Sequence, residues 1–423
     1  MPENNSTIEQ WERDYLRDLA KKQLEIANSA EMQKKEALWY AHNDYKTKEP
    51  VVTLERGTFN REFEHLWDPK CQTETARGIE YYFHSNMVQY EYIHDDTVMP
   101  KEFAVGIWAG IKPFDIDVKR ERSIGETFAY KLDYPIRDLE AEFGKLKKSP
   151  IYCNFNDCVN YKKTVEDILG DLMPARISFS PYFGLANNIY CLMGLETMMT
   201  SMYDYPELFH KMMQMLTDDY LELWDFIEKN GYIRPNNFNV GVAQGTYGFT
   251  NLLPKNTDEN AAEYGKLTMG DVWGYTDSQE TSEISPDMYN EFFFPYYKKI
   301  SERFGRLNYG CCESVSAFWE KSVSKYENLS KVSISPWCDE EYIGEKLRGK
   351  NIIYHRKPFP NYLAIDKVFD EKTFSEHIEK TLRAAQGCFF ELSYRDVYSL
   401  QGEIYRGKKA YETIQKCIDK FWK

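Results

Sequence analysis

The stretch 307–354, LNYGCCESVSAFWEKSVSKYENLSKVSISPWCDEEYIGEKLRGKNIIY, decides the fold. It opens on a short apolar run, Leu307-Asn308-Tyr309, followed by helical spacing from Val315 to about Val323. A second run, Lys331-Val332-Ser333-Ile334-Ser335, precedes a helix near Asp339 to Leu347, and Ile352-Ile353-Tyr354 begins the next unit. Short β-type runs alternating with helical periods indicate parallel β/α units rather than hairpins. The same rhythm extends in both directions. Counting 104–108, 176–180, 239–243, 270–273, 307–309, 332–335, 352–354 and 388–392 gives eight strands. Eight such units predict an α/β fold, a (β/α)₈ TIM barrel. The alternative is an open doubly wound sheet, but no Gly-x-Gly-x-x-Gly follows any of these strands.

The barrel domain is expected over 101–423, behind a mainly helical N-terminal extension over 1–100. Residues from about 7 to 48 carry helical spacing (Trp11, Tyr15, Leu19, Leu24, Ile26) and read as one or two surface helices. Val51-Val52-Thr53-Leu54 is strand-like but stands outside the count of eight. Ser285-Pro286-Asp287 is a helix start, with a serine cap and proline at the first helical position. That helix is expected to run to about Phe304.

The chain has 423 residues, 42% of them hydrophobic, and a net charge of −14. The acidic balance argues against nucleic acid, whose phosphates need a basic footprint, and against anionic membrane surfaces. No apolar run approaches the length of a membrane span, and Met1-Pro2-Glu3-Asn4-Asn5 lacks a signal peptide's basic and apolar regions. A cytoplasmic protein is expected. Its nine cysteines then read as free thiols or metal ligands rather than disulfides. Walker A, His-Glu-x-x-His, Gly-x-Ser-x-Gly and kinase signatures are absent, so phosphoryl transfer and serine hydrolysis lack support.

In a barrel of this class, chemistry sits after the strands' C-terminal ends. The turns there hold Gln244, Gln279-Glu280, Cys311-Cys312-Glu313, Trp337, His355-Arg356-Lys357 and Glu391-Leu392-Ser393-Tyr394-Arg395-Asp396. Thiolates select zinc and other thiophilic metals. Cys311 and Cys388, each at a strand end, could therefore share one metal, or could pack as small hydrophobes.

Three motifs carry a family resemblance. They are Asp271-Val272-Trp273-Gly274 with Gln279-Glu280 and Ile284-Ser285-Pro286-Asp287-Met288-Tyr289; Tyr309-Gly310-Cys311-Cys312-Glu313; and Gly387-Cys388. Over about residues 170 to 423 the chain resembles the uroporphyrinogen decarboxylase superfamily, and within it the cobalamin-linked, zinc-dependent methyltransferases. The resemblance implies a Zn²⁺ held by Cys311 and Cys388. Tyr309 stands where the family has its zinc histidine, and Cys312 follows where glycine is usual. Cys312, Glu313 or Glu280 would then replace the missing ligand. The decarboxylases' Arg-Gln-Ala-Gly-Arg motif is also absent; Trp108-Ala109-Gly110-Ile111-Lys112 lies in that region.

The resemblance further implies methyl transfer between a small methylated substrate (a methoxy-arene, methylamine or thiol) and a partner corrinoid protein that carries the cobalamin, a chemistry of anaerobic metabolism. Zinc would act as the Lewis acid. Glu391 or His355 would move a proton, and Asp271, Trp273, Gln279, Glu280, Gln244, Trp337 and Tyr394 would meet the substrate. The alternatives are a metal-free decarboxylase or lyase on the same fold, and a non-catalytic binding protein. A homo-oligomer is compatible with all three.

Overall fold

A computed structural model of the chain describes residues 7–122, 130–258 and 260–423. Its parallel strands, in chain order, are β1 (Val51–Leu54), β2 (Phe103–Ile107), β3 (Ala175–Phe179), β4 (Tyr182–Phe183), β5 (Trp273–Thr276), β6 (Arg306–Tyr309), β7 (Leu329–Ile334), β8 (Ile353–Arg356) and β9 (Phe389–Tyr394). Seven form one sheet in the order β1-β9-β8-β7-β6-β5-β4. β2 and β3 form a separate parallel pair, and the chain passes from β3 through Ser180-Pro181 directly into β4.

Neighbouring strands thus follow chain order around a barrel-like α/β fold. The described residues do not close it: β1 and β2 share no backbone pairing. The free edge of β1 is covered instead by two buried carboxylates. Val52 N–H donates to Asp96 Oδ2 at 2.8 Å and Leu54 N–H to Asp95 Oδ2 at 2.6 Å. Side-chain capping of this kind keeps an edge strand from pairing with another chain.

Two expectations about the strands are corrected. Residues 239–243 do not join the sheet; Gly241–Ala243 pairs antiparallel with Thr246–Tyr247 in a small hairpin. The place in the count belongs to β1, which pairs with β9 from Val51↔Glu391 to Leu54↔Tyr394. The sheet therefore draws a strand from before residue 101. The N-terminal helices Gln10–Ala27 and Ala30–Asn43 also reach inward, burying Trp39, His42 and Asn43. The helix opened by Ser285 forms with the expected cap, Met288 N–H donating to Ser285 Oγ, but breaks at Phe293 into Pro286–Phe292 and Phe294–Ser301. The helix Glu371–Ala384 buries Phe374, Ile378 and Leu382. Each such side chain contributes about 1.5–3 kcal/mol by leaving water.

Side chains alternate sides along a strand, and here the inward rows are polar. β1 presents Thr53, β7 presents Lys331 and Ser333, β8 presents His355, and β9 presents Glu391 and Ser393. Lys331 Nζ donates to Glu391 Oε2 at 2.7 Å and to Thr246 Oγ1 at 2.6 Å. His355 Nε2 is 2.8 Å from Ser393 Oγ. The hydroxyls of Thr53 and Ser393 both reach Gly245 O, at 3.0 and 2.8 Å. Gly245 has φ +76°, and a Cβ there would meet Ser393 Cβ at 2.9 Å. The hairpin turn can lie over this network only because residue 245 is glycine.

Candidate active site at the strand C-terminal ends

One residue beyond the strand ends, four strands deliver charged groups to the same end of the sheet: Glu55 after β1, Asp277 after β5, Lys357 after β8 and Arg395 after β9. The turn after β6 adds Cys311 and Cys312. Asp277 is 2% exposed. It accepts hydrogen bonds from Tyr275 Oη at 2.7 Å and Tyr182 Oη at 3.2 Å. Burial raises its pKa, while the two phenols pull the other way. Arg395 Nε donates to Glu55 Oε2 at 3.0 Å; its Nη1 bonds Gln244 and lies 3.5 Å from Cys311 Sγ. Lys357 is 3% exposed, and among the described residues its ammonium makes one long hydrogen bond, 3.5 Å to Gly310 O. Burial lowers its pKa, and Cys311 pulls it back up.

The two sulfurs of Cys311 and Cys312 are 3.4 Å apart. They perturb each other in opposite directions. Cys311 is pushed up, first by its bond to Cys312 and then by burial. Cys312 is pulled down by that same bond and by Lys357 and Arg395. Cys312 also lines an open cleft of about 650 Å³, together with Gln279, Glu280, Ser314, Trp337 and Tyr190. In that cleft Glu280 accepts from Asn187 Nδ2 at 2.7 Å through one oxygen, while its buried Oε2 has no hydrogen-bond partner among the described residues. Burial raises its pKa, the Asn187 bond opposing. Cleft, carboxyl and thiol pair together form a site able to deliver a proton next to a soft anion.

Of the residues expected from sequence, this mouth gathers Cys311, Cys312, Gln244, Gln279, Glu280 and Trp337. The others stand elsewhere. Cys388 immediately precedes β9, whereas Cys311 follows the end of β6. The ladder Phe389↔Ile353, Ile353↔Lys331 and Lys331↔Asn308 puts Cys388 level with about Leu307. That is four residues, or ~13 Å along the strands, from Cys311. Cys388 Sγ is 3.4 Å from Gly344 O. Glu313 is turned inward, its two oxygens taken by Ser278 N–H at 2.9 Å and Cys311 N–H at 2.8 Å; burial pushes it up to about 8. Tyr309 faces the outer helices, its hydroxyl 2.9 Å from that of Tyr289.

The donors therefore do not fit the expected zinc. Among the described residues no group of three or more His, Cys, Asp or Glu stands where it could hold a metal ion.

Asp271 and Trp273 lie at the other end of β5. Asp271 braces its own loop through Thr268 and Asn256, and Trp273, fully buried, donates to Gly248 O at 2.8 Å. Tyr394 points outward against Phe374. Glu391 and His355 sit in the sealed interior, 0% and 2% exposed. His355, pushed down to about 3 by burial, has its Nε2 2.8 Å from Ser393 Oγ. Sequence reasoning named Lys357 and Arg395 at strand ends without giving them a role, and missed Asp277 and Glu55 altogether. The signal for all four was the period of two: Asp277, Lys357, Arg395 and Glu55 each stand two positions after an inward residue (Tyr275, His355, Ser393 and Thr53).

No protein family model and no curated protein matches the chain. Among solved structures it is similar to a methyltransferase from Methanosarcina mazei, with a TM-score of 0.49 and 10% sequence identity, over 90% of this chain and 98% of that one. No helix among the described residues is long and apolar enough to cross a membrane.

Proposed function

We propose that the chain is a cytoplasmic enzyme that moves a methyl group between a small methylated substrate and a partner corrinoid protein. The reaction would occupy the C-terminal mouth of a (β/α)₈-type barrel. The observation that carries this reading is Glu280 and Cys312 facing one cleft, with Glu280 Oε2 unpartnered. A methyl group on oxygen or nitrogen leaves poorly unless the heteroatom is neutralised. A carboxyl whose pKa is raised by burial holds the proton that does this. Glu280 is the proton donor in this scheme, oriented by Asn187. Trp337, 66% exposed at the rim, offers a flat apolar wall. Arg395 and Lys357 lie beside the sulfur pair at the floor, and both favour a thiolate on Cys312. The partner's corrinoid, when docked, would supply the cobalt that takes or returns the methyl group. No step is assigned to zinc, since among the described residues no three such donors stand where they could hold a metal ion.

A reduced corrinoid protein, mixed with this chain and a panel of methoxy-arenes, methylamines and methyl thiols, tests the proposal through its visible spectrum. Conversion of cobalt(I) to methyl-cobalt(III) that needs both chain and substrate is expected. A second reading, a metal-free decarboxylase or lyase, is favoured by two cations, the buried Lys357 and the partly exposed Arg395, which suit a substrate carboxylate. Carbon dioxide release from carboxylated members of the panel, with no change at cobalt, would select it instead.

A further inference from the structure

We infer that Cys311 and Cys312 form a reversible dithiol–disulfide site, oxidised by low-molecular-weight disulfides that enter through the cleft. The inference is independent of methyl transfer, since it needs only the two sulfurs, the two cations and the opening.

The geometry divides the labour between the two thiols. Cys312 lines the cleft and is half-buried, so an incoming disulfide can reach it. Cys311 is 4% exposed, with its sulfur 3.4 Å from that of Cys312. An accessible attacking thiolate beside a sheltered resolving thiol is the arrangement that redox-active cysteine pairs require. Arg395 Nη1 lies 3.5 Å from Cys311 Sγ. Lys357 makes no ion pair with a carboxylate within 4.0 Å among the described residues; every other fully enclosed lysine or arginine at this level has an oxygen partner closer than 3 Å. A buried ammonium without a carboxylate favours an anion beside it, and the sulfur that attacks a disulfide must be one.

The exchange balances in two steps. The Cys312 thiolate attacks R–S–S–R, forming Cys312–S–S–R and releasing R–S⁻. The Cys311 sulfur then attacks the Cys312 sulfur, closing Cys311–S–S–Cys312 and releasing a second R–S⁻, while the Cys311 proton goes to solvent. Two electrons pass from the protein thiols to the external disulfide. Adjacent Cα atoms are about 3.8 Å apart across a trans peptide, less than the ~4.4–6.8 Å usual for bridged cysteines. The closed ring is therefore strained and readily reduced, as reversible rather than structural disulfides are. The remaining cysteines lack this arrangement: Cys338 contacts Ser335 and Glu313 O, and Cys388 lies at the opposite end of the sheet.

The full-length protein is incubated with oxidised glutathione, quenched with iodoacetamide and digested with trypsin. The fragment Leu307–Lys321 holds Cys311 and Cys312 and no other cysteine. In the wild type this fragment should lose two hydrogens, and dithiothreitol should restore both alkylatable thiols. Cys311→Ser should trap a lasting glutathione adduct on Cys312. Cys312→Ser should leave Cys311 unmodified, reacting at least about tenfold more slowly. If a variant fails to fold, Lys357→Met keeps both sulfurs and should slow the first step by about tenfold. Free thiols persisting in the wild type, a lasting wild-type adduct, a bond from Cys312 to another cysteine, or an unchanged Lys357→Met rate would each overturn the inference.

Discussion

Lys331 and Lys357 are both enclosed ammoniums on neighbouring strands, and they are treated oppositely. Lys331 sits in the sealed interior with Glu391 at 2.7 Å and Thr246 at 2.6 Å. Burial alone would raise the Glu391 pKa, but Lys331 and His355 outweigh it and hold the carboxyl well below its ordinary range. Lys357 sits at the mouth with one 3.5 Å contact and faces sulfur. The interior layer pairs its ammonium with a carboxylate and is sealed, although Glu391 Oε1 and both His42 ring nitrogens have no hydrogen-bond partner there among the described residues. The mouth layer is left incomplete beside an opening, and incompleteness there is what a substrate can use.

Removing either lysine probes the contrast most strongly. Lys331→Met leaves the Glu391 carboxylate buried without its cation, and should cost about 3–5 kcal/mol in urea unfolding. Lys357→Met should change stability by no more than about 1 kcal/mol, because it strands no carboxylate. Equal losses would erase the distinction. Next in size, Glu280→Gln should lower methyl transfer by about 100-fold while the unfolding midpoint moves by less than about 0.5 kcal/mol.

A smaller effect concerns pH. The folded-state pKa of Glu313, about 8, lies above its ordinary value of 4.5. Between these values the folded chain binds the proton more tightly, so stability is fully present below about pH 4.5 and falls as pH rises toward 8. Glu313→Gln should flatten that fall in a series of denaturation curves; an unchanged slope would remove Glu313 as its source. Smallest of all, Cys388→Ser should leave Cys312 alkylation unchanged and cost less than about 1.5 kcal/mol, as expected of a packed thiol.

The alternation across 307–354 was legible because period-two and period-3.6 segments of suitable length followed one another. Choosing between Val51–Leu54 and residues 239–243 was not. Both are short apolar runs, and what separates them is pairing: Val51–Leu54 meets a strand more than 300 positions later, which no local pattern encodes. The Cys388 assignment failed for a polarity reason. In a parallel sheet, a residue that begins one strand lies at the opposite end from a residue that follows another. Glu391 and His355 were legible as inward polar residues, but their depth was not, because it depends on the Gly245 turn lying over them. Asp277, Lys357 and Arg395 become visible as site residues once the inward rows are extended by two positions, to one residue past each strand end.

Methyl transfer to a corrinoid protein, timed side by side for the wild type, Glu280→Gln and His355→Gln, tests most directly whether the chemistry belongs to the mouth or to the interior. The account predicts turnover in the wild type, a loss of about 100-fold in Glu280→Gln, and a His355→Gln rate within a few-fold of wild type once the fold is matched. Turnover that survives Glu280→Gln and vanishes in a folded His355→Gln variant would contradict it.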